Sequence, residues 1–319
     1  MTPNDHMPTV ATDLIFQGKR VALATVISTW GSAPRPVGSQ LTITSDGEFW
    51  GSVSGGCVEG AVILEAQSAL QDGRCRILEY GVADEDAFAV GLACGGEIRI
   101  LVEPIDIGDG PTTDQINQIV QAHKDRKTTA LSVDTNTWKR QFITPPSDTS
   151  YMTGDIFTAV HAPPLQLAIV GAVHITQVLA PIARIAGYTV FLIDPREGFA
   201  TKTRFPDDTF VDAWPDEAMD EIGLDDRTGV ITLTHDPKMD NPALERAIQS
   251  DAFYIGALGS KRTHAKRCTH LDQAGFTSDQ IARIHAPIGA NIGSKSPAEI
   301  AISVMAELTE RLRRPETRR

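Results

Sequence analysis

The chain has little with which to build a metal framework, cross a membrane or grip a nucleic acid. Its 319 residues include four cysteines, Cys57, Cys75, Cys94 and Cys268. These lie far apart, with no Cys-x-x-Cys and no histidine pair at zinc-finger spacing, which argues against a structural zinc site. No apolar run is long enough to span a bilayer, and Met1–Val10 is polar, without the apolar core of a secretory signal. Acidic residues outnumber Lys and Arg by 41 to 29, a formal charge of −12. That balance argues against nucleic acid or anionic lipid as a partner. These absences predict a cytoplasmic protein with reduced thiols. No internal repeat is present. What remains, 41% hydrophobic and 22% charged residues, is an ordinary globular composition, long enough for two domains.

The most informative stretch is Gly51-Ser-Val-Ser-Gly55-Gly56-Cys57-Val-Glu59 and the residues to Ala66. Val53 closes a strand, Ser54-Gly55-Gly56 forms a turn, and Val58, Val62 and Ala66 mark one helical stripe. The reading puts Cys57 at a helix N-terminus, where free N–H groups and the helix dipole favour a thiolate or a ligand phosphate. Two glycines admit a bulky ligand close to the backbone. Glu59, in the same turn, opposes a depressed thiol pKa, so the reactivity of Cys57 is left open. The alternative is a small buried cysteine packed under a tight turn.

Along the first half, Arg20–Trp30 reads as a buried strand. A two-proline loop around Arg35 follows, then a hairpin of Gln40–Thr44 and Glu48–Val53 about Asp46-Gly47. The Cys57 helix runs to Asp72 and ends at Gly73. Cys75–Tyr80 and Ile98–Pro104 are strands, and the acidic segment Ala83–Ala89 is a loop or short helix. Between them stands Cys94-Gly95-Gly96, the mirror of Gly55-Gly56-Cys57. Two thiols lining one cleft, or two unrelated turns, are both open at this point. A helix (Asp114–Lys124), a strand (Thr128–Val133) and a Pro/Ser/Asp-rich stretch from Thr144 complete this half.

From Leu165 strands and helices alternate cleanly, which predicts a doubly wound parallel sheet. A dinucleotide fingerprint requires Gly-x-Gly-x-x-Gly at the first turn and an acid about 20 residues on. Gly171-Ala-Val173-His174 supplies the first glycine alone, and Asp194 the acid. Val173 puts side-chain bulk where a pyrophosphate needs backbone, so ordinary NAD(P) use is not expected. A second candidate follows the strand Phe253-Tyr-Ile255. There Gly259, Ser260, Lys261 and Arg262 open a helix that suits a phosphate. Lys266 and Arg267 extend this basic cluster, and a solvated helix face is the alternative reading, since Arg262 and Lys266 share one side.

The ordered set Gly31-Ser-Ala-Pro-Arg35 with Gly38, Gly51–Glu59, Ala93-Cys-Gly-Gly96, Phe253–Ser260, Ile284-His-Ala-Pro-Ile-Gly289 and Asn291–Ile300 resembles the XdhC/CoxI accessory factors of molybdenum hydroxylases such as xanthine dehydrogenase. The resemblance implies an α/β chain: a mixed XdhC/CoxI-type domain over 1–160, with the connecting segment, and a Rossmann-like domain over 161–319. It implies binding of molybdenum cofactor, as molybdopterin or its cytosine dinucleotide form, protection during sulfuration, and delivery to an apo molybdenum hydroxylase. A cysteine desulfurase is the implied sulfur donor, and a homodimer the implied assembly. Gly55, Gly56, Cys57, Cys94, Gly95 and Gly96 are carried over as cofactor contacts, with Cys57 and Cys94 as candidate molybdenum contacts. Arg35 joins them from its matching stretch. Gly171, Asp194, Gly259, Ser260, Lys261 and Arg262 complete the candidate set.

An anionic, phosphate-bearing cofactor suits glycine turns, a helix N-terminus and soft sulfur donors. No nucleophile is paired with a base, so the expectation is a binding and delivery protein. An NAD(P)- or nucleotide-dependent oxidoreductase or transferase is the alternative, and a docking factor with no ligand of its own a third class.

Overall fold

The computed structural model describes residues 6–31, 35–81 and 96–314. The chain divides into two compact units, Met1–Pro163 and Pro164–Arg319. The acidic segment Ala83–Ala89, with Cys94 and Gly95, lies outside the described residues.

The first unit begins with α1 (Met7–Phe16), β1 (Val21–Trp30), β2 (Gln40–Thr44), β3 (Phe49–Gly51), α2 (Glu59–Asp72), β4 (Arg76–Tyr80) and β5 (Glu97–Pro104). Its strands form an antiparallel sheet in the order β3-β2-β1-β5-β4. Strand β1 is buried on both faces, and its period of two sorts the contacts. Ala22, Ala24 and Val26 pack with Val62, Ala66 and Ala69 of α2. Val21 and Leu23 face Met7, Ala11 and Leu14 of α1. Helix α2 stops at Gly73, whose left-handed φ of 75° closes the last turn.

The unit continues with α3 (Thr113–Lys124), β6 (Thr129–Asp134), β7 (Arg140–Ile143), β8 (Tyr151–Thr153) and β9 (Ile156–His161). A Thr112–Gln115 capping box starts α3. These strands make a second antiparallel sheet, β7-β6-β9-β8, where the sequence predicts a single strand and a loop. Ile27 and Leu101 of the first sheet pack against Val133 and Phe157 of the second. Gly38 lets the β1–β2 loop approach the second sheet, since at its φ of 90° a Cβ would sit 2.6 Å from Ser150 Oγ.

The second unit runs β10 (Leu165–Val170), α4 (His174–Ile185), β11 (Tyr188–Ile193), β12 (Thr209–Val211), α5 (Pro215–Ile222), β13 (Thr228–Thr232) and α6 (Pro237–Gln249). It ends with β14 (Tyr254–Ala257), α7 (Lys261–Gln273), α8 (Ser278–Ile281), β15 (Ile284–His285) and α9 (Pro297–Arg313). The sheet is parallel throughout, in the order β12-β11-β10-β13-β14-β15. This is the doubly wound arrangement, with the winding reversed between β10 and β13. Leu167 and Ile169 face α4 and α9 through Leu179, Ala183, Val304 and Leu308. Ala168 and Val170 face α5 and α6 through Met219, Ala243 and Leu244. Each such leucine, fully buried, contributes about 1.5–3 kcal/mol. Apolar side chains on both faces are why these strands read as continuous hydrophobic runs.

Candidate functional site

In the first unit, β3 ends at Gly51 and α2 begins at Glu59, so the turn between them is longer than the sequence implies. Gly55 and Gly56 take positive φ of 73° and 113°, a conformation that favours glycine. A Cβ at Gly56 would meet nothing within 4 Å, so the turn has open space beside it. Cys57 is exposed, two residues before the helix rather than in its first turn.

The anion at this helix start is Glu59. Its Oε1 accepts from Ser52 Oγ (2.8 Å), Val53 N (3.2 Å) and Ser54 N (2.9 Å). Its Oε2 accepts from Ser54 Oγ and from Gly56 N (2.8 Å). Burial pushes the carboxyl up, but the Ser54 and Ser52 donors outweigh it and hold it down at about 2. The chain's own carboxylate takes the Val53, Ser54 and Gly56 amides, which belong to the turn ahead of the helix and fold back over its first residue.

Arg35 is exposed on the loop between β1 and β2, and Gly96 is buried just ahead of β5. The expected Cys57–Cys94 cleft falls outside the described residues. Cys75 is buried, and burial first, then the Glu103 charge, pushes its thiol up to about 12, which leaves it inert. Cys268, to which the sequence assigns no role, has its Sγ 3.5 Å from His264 Nε2 one turn away on α7.

At the carboxyl ends of the second unit's strands, Gly171 has a φ of 116°, and a Cβ there would stand 2.9 Å from Thr234 Cγ2. Its glycine is thus required by backbone and packing. Asp194 is turned inward. Oδ2 accepts from Ala172 N (2.8 Å) and Arg196 Nη2 (2.7 Å), and Oδ1 from Arg196 Nε (2.8 Å). Arg196 in turn lies over the Phe199 ring at 4.0 Å. The carboxylate expected to face a ribose is already held on both oxygens.

Ser260 is the N-cap of α7, and its hydroxyl accepts from Thr263 N at 3.2 Å. Gly259, at a φ of 141°, lets the chain turn against Thr263. Lys261, Arg262 and Lys266 are exposed, whereas Arg267 is buried. It donates to Leu258 O (3.2 Å) and lies 3.5 Å from Asp240 Oδ2. Burial pushes the Asp240 carboxyl up and the Arg267 guanidinium down. The basic cluster therefore contains one structural arginine and three solvent-facing cations. Among the described residues, no group of three His, Cys, Asp or Glu side chains is placed to hold a metal ion. No helix there is long and apolar enough to cross a membrane.

Residues 14–81 match the XdhC and CoxI family, and residues 167–308 match the XdhC Rossmann domain. The chain is 30% identical over 298 residues to the molybdenum cofactor insertion chaperone PaoD of Escherichia coli (strain K12), covering 93% of this chain and 85% of that one. It is 24% identical to a probable xanthine dehydrogenase subunit of Bacillus subtilis (strain 168), over 94% of this chain and 96% of the relative. A crystal structure of a xanthine dehydrogenase from Bacillus halodurans shares the fold, with a TM-score of 0.75 at 24% identity, over 97% and 96% of the two chains. An antiparallel unit carrying a glycine-hinged cysteine, followed by a doubly wound unit, and a full-length relative at this identity make the chain a member of the XdhC/CoxI family.

Proposed function

We propose that the chain binds molybdenum cofactor as cargo and inserts it into an apo molybdenum hydroxylase of the xanthine dehydrogenase type. One observation carries the reading: the near full-length likeness to an Escherichia coli chaperone named for this task. The residues of the first unit are compatible with it. Cys57 offers an exposed soft donor beside open space at Gly56, and such sulfur ligands suit a soft metal centre. Bound cargo brings a molybdenum that can take a thiolate, and the chain's part is to present one and shield it. Glu59 takes the Val53, Ser54 and Gly56 amides and so braces the turn that presents Cys57. Arg35, Cys94, Gly95 and Gly96 complete the proposed contact set there. In the second unit, Gly259, Ser260, Lys261 and Arg262 form a separate anion-favouring helix start.

In the finer reading, the chain guards the cofactor, molybdopterin or its cytosine dinucleotide form, while a cysteine desulfurase supplies the terminal sulfur. It acts as a cytoplasmic homodimer and not as a catalyst. The NAD(P)- or nucleotide-dependent alternative is disfavoured by Asp194, whose oxygens are held by Arg196 and Ala172. The deciding experiment mixes the chain anaerobically with molybdenum cofactor and follows retention through gel filtration. Wild type retains it, and Cys57→Ser and Cys94→Ser retain less. A wild-type chain that emerges empty refutes the reading, and a saturable NADH titration with turnover replaces it with the alternative.

A further inference from the structure

A cavity of about 740 Å³ beside β15 has no thiol or hydroxyl side chain among its walls. Helix α7 does carry a nucleophile paired with a base, although no motif in the sequence marks it. Cys268 and His264 are four residues apart, so one face of the helix holds both. Sγ lies 3.5 Å from Nε2, within the span of a sulfur hydrogen bond. Both side chains are half-buried, which leaves the thiol within reach of a small solute.

The ring is the base of the pair. Burial, then the Arg267 charge, lowers His264, so the imidazole is neutral near pH 7 and has one nitrogen free to accept. Sulfur is a weak acceptor and an imidazole nitrogen a good one, so the thiol donates to Nε2 and Nδ1 carries the ring hydrogen. Nδ1 is buried without a partner. The thiol is therefore the ring's one hydrogen-bond contact among the described residues.

Arg267 completes the cluster. It is buried, at 6% exposure, and its Nη1 has no acceptor. Burial lowers the guanidinium, while the charges of Asp240 and then Cys268 raise it, so cation and sulfur act on each other. A base at hydrogen-bond distance and a buried cation with an uncommitted N–H group both favour a thiolate as it forms.

We propose that Cys268 is a modification site, a thiol that His264 activates for exchange with a small disulfide of the glutathione type. In the exchange the S–H proton passes to His264 Nε2, Cys268 Sγ bonds one sulfur of the disulfide, and the S–S bond breaks. The leaving thiolate takes the proton from the ring. Cys268 is oxidised to a mixed disulfide, and the released half is reduced to a thiol. The inference goes beyond the cofactor reading and uses none of its residues.

The test incubates the full chain with glutathione disulfide near pH 7 and follows Cys57, Cys75 and Cys268 separately by peptide mass spectrometry. Cys268 gains the glutathionyl group, dithiothreitol removes it, and Cys268→Ser lacks it. His264→Gln slows the Cys268 reaction about tenfold or more, a modest share of what a positioned base supplies, and leaves the Cys57 rate unchanged. At about pH 10, above the ordinary thiol value of about 8.5, wild type and variant react alike, because the thiolate then forms unaided. Melting temperatures check that the variants are folded. Wild type alone gives a second measurement: in urea, which separates the pair, Cys268 reacts more slowly than in the native chain despite its fuller exposure. A native Cys268 that stays free, or one that reacts faster in urea, overturns the proposal. So does a folded His264→Gln variant that matches wild type near pH 7 or stays slow at the alkaline end. None of these outcomes depends on whether the chain retains the cofactor.

Discussion

Arg140 reaches from the second sheet of the first unit to Glu103 on the first sheet. Its Nη2 and Nε lie 2.5 and 3.2 Å from Glu103 Oε1. Both side chains are nearly closed off from water, at 5% and 11% exposure. The guanidinium is completed by the carbonyls of Asp109 (2.6 Å) and Trp138 (2.9 Å). A buried ion pair satisfied in this way fixes how two sheets meet, whatever its net free energy.

Removing one partner therefore exposes the cost of the other. Arg140→Met leaves the Glu103 carboxylate buried and alone, and lowers stability by about 3–5 kcal/mol. The double variant Arg140→Met, Glu103→Met recovers most of this loss. Urea denaturation of the four proteins in the cycle measures it, and additive losses would contradict the pairing.

Glu59→Ala strips the acceptor from Ser52, Val53, Ser54 and Gly56 at once. The expected loss at pH 7 is about 2–3 kcal/mol, from the gap between a carboxyl near 2 and its ordinary value of about 4.3. The folded pKa is depressed, so the contribution is complete above about pH 5 and fades as pH falls toward 2. Stability curves of wild type and variant should converge at the acid end.

Three histidines join α1, α3 and β9. The His6 ring stacks on His123 at 4.0 Å and meets His161 edge-on at 5.6 Å. Burial, then the charges of His123 and His161, lowers His6 to about 3. Burial, then His123, lowers His161 to about 4. Burial, then Arg126, lowers His123. The folded state thus resists protons that the unfolded chain accepts below about pH 6.5. Stability falls from pH 7 to 5 by at least about 2 kcal/mol, and His161→Gln flattens the slope. A pH-independent denaturation midpoint over that range would refute the account.

Cysteine labelling separates the thiols by position. Brief iodoacetamide treatment of the native chain modifies Cys57, which is exposed, and spares Cys75, which is buried with its thiol pushed up to about 12. Peptide mass spectrometry reads both, and Cys75 becomes reactive once urea unfolds the first unit. Modification of native Cys75 at the rate of Cys57 would contradict the burial.

The parallel unit is legible in the sequence because its central strands are apolar on both faces and its helices carry one clean stripe. Strands β7 and β8 are not, since each is short and half-exposed, with no alternation to separate it from a polar loop. Helix α1 hides in a stretch with no side-chain cap at its start and no acid in its first turn to mark it. The Cys57 turn stands out, but its helix starts two residues later than the pattern suggests, because Glu59 acts as an acceptor for its own turn and not merely as a neighbouring charge. Arg267 follows Lys261, Arg262 and Lys266 as if part of one basic run. Helical spacing sets it four residues before Leu271, on the inward stripe, and that period is the available signal.

Both rims of the parallel sheet are cut short, β12 to three residues and β15 to two. A rim of that length gives an approaching chain almost no ladder to copy, so edge-to-edge stacking finds no template there. A chain that keeps a wide cleft beside its outermost strand can leave that cleft open to small solutes without inviting its own sheets to polymerise.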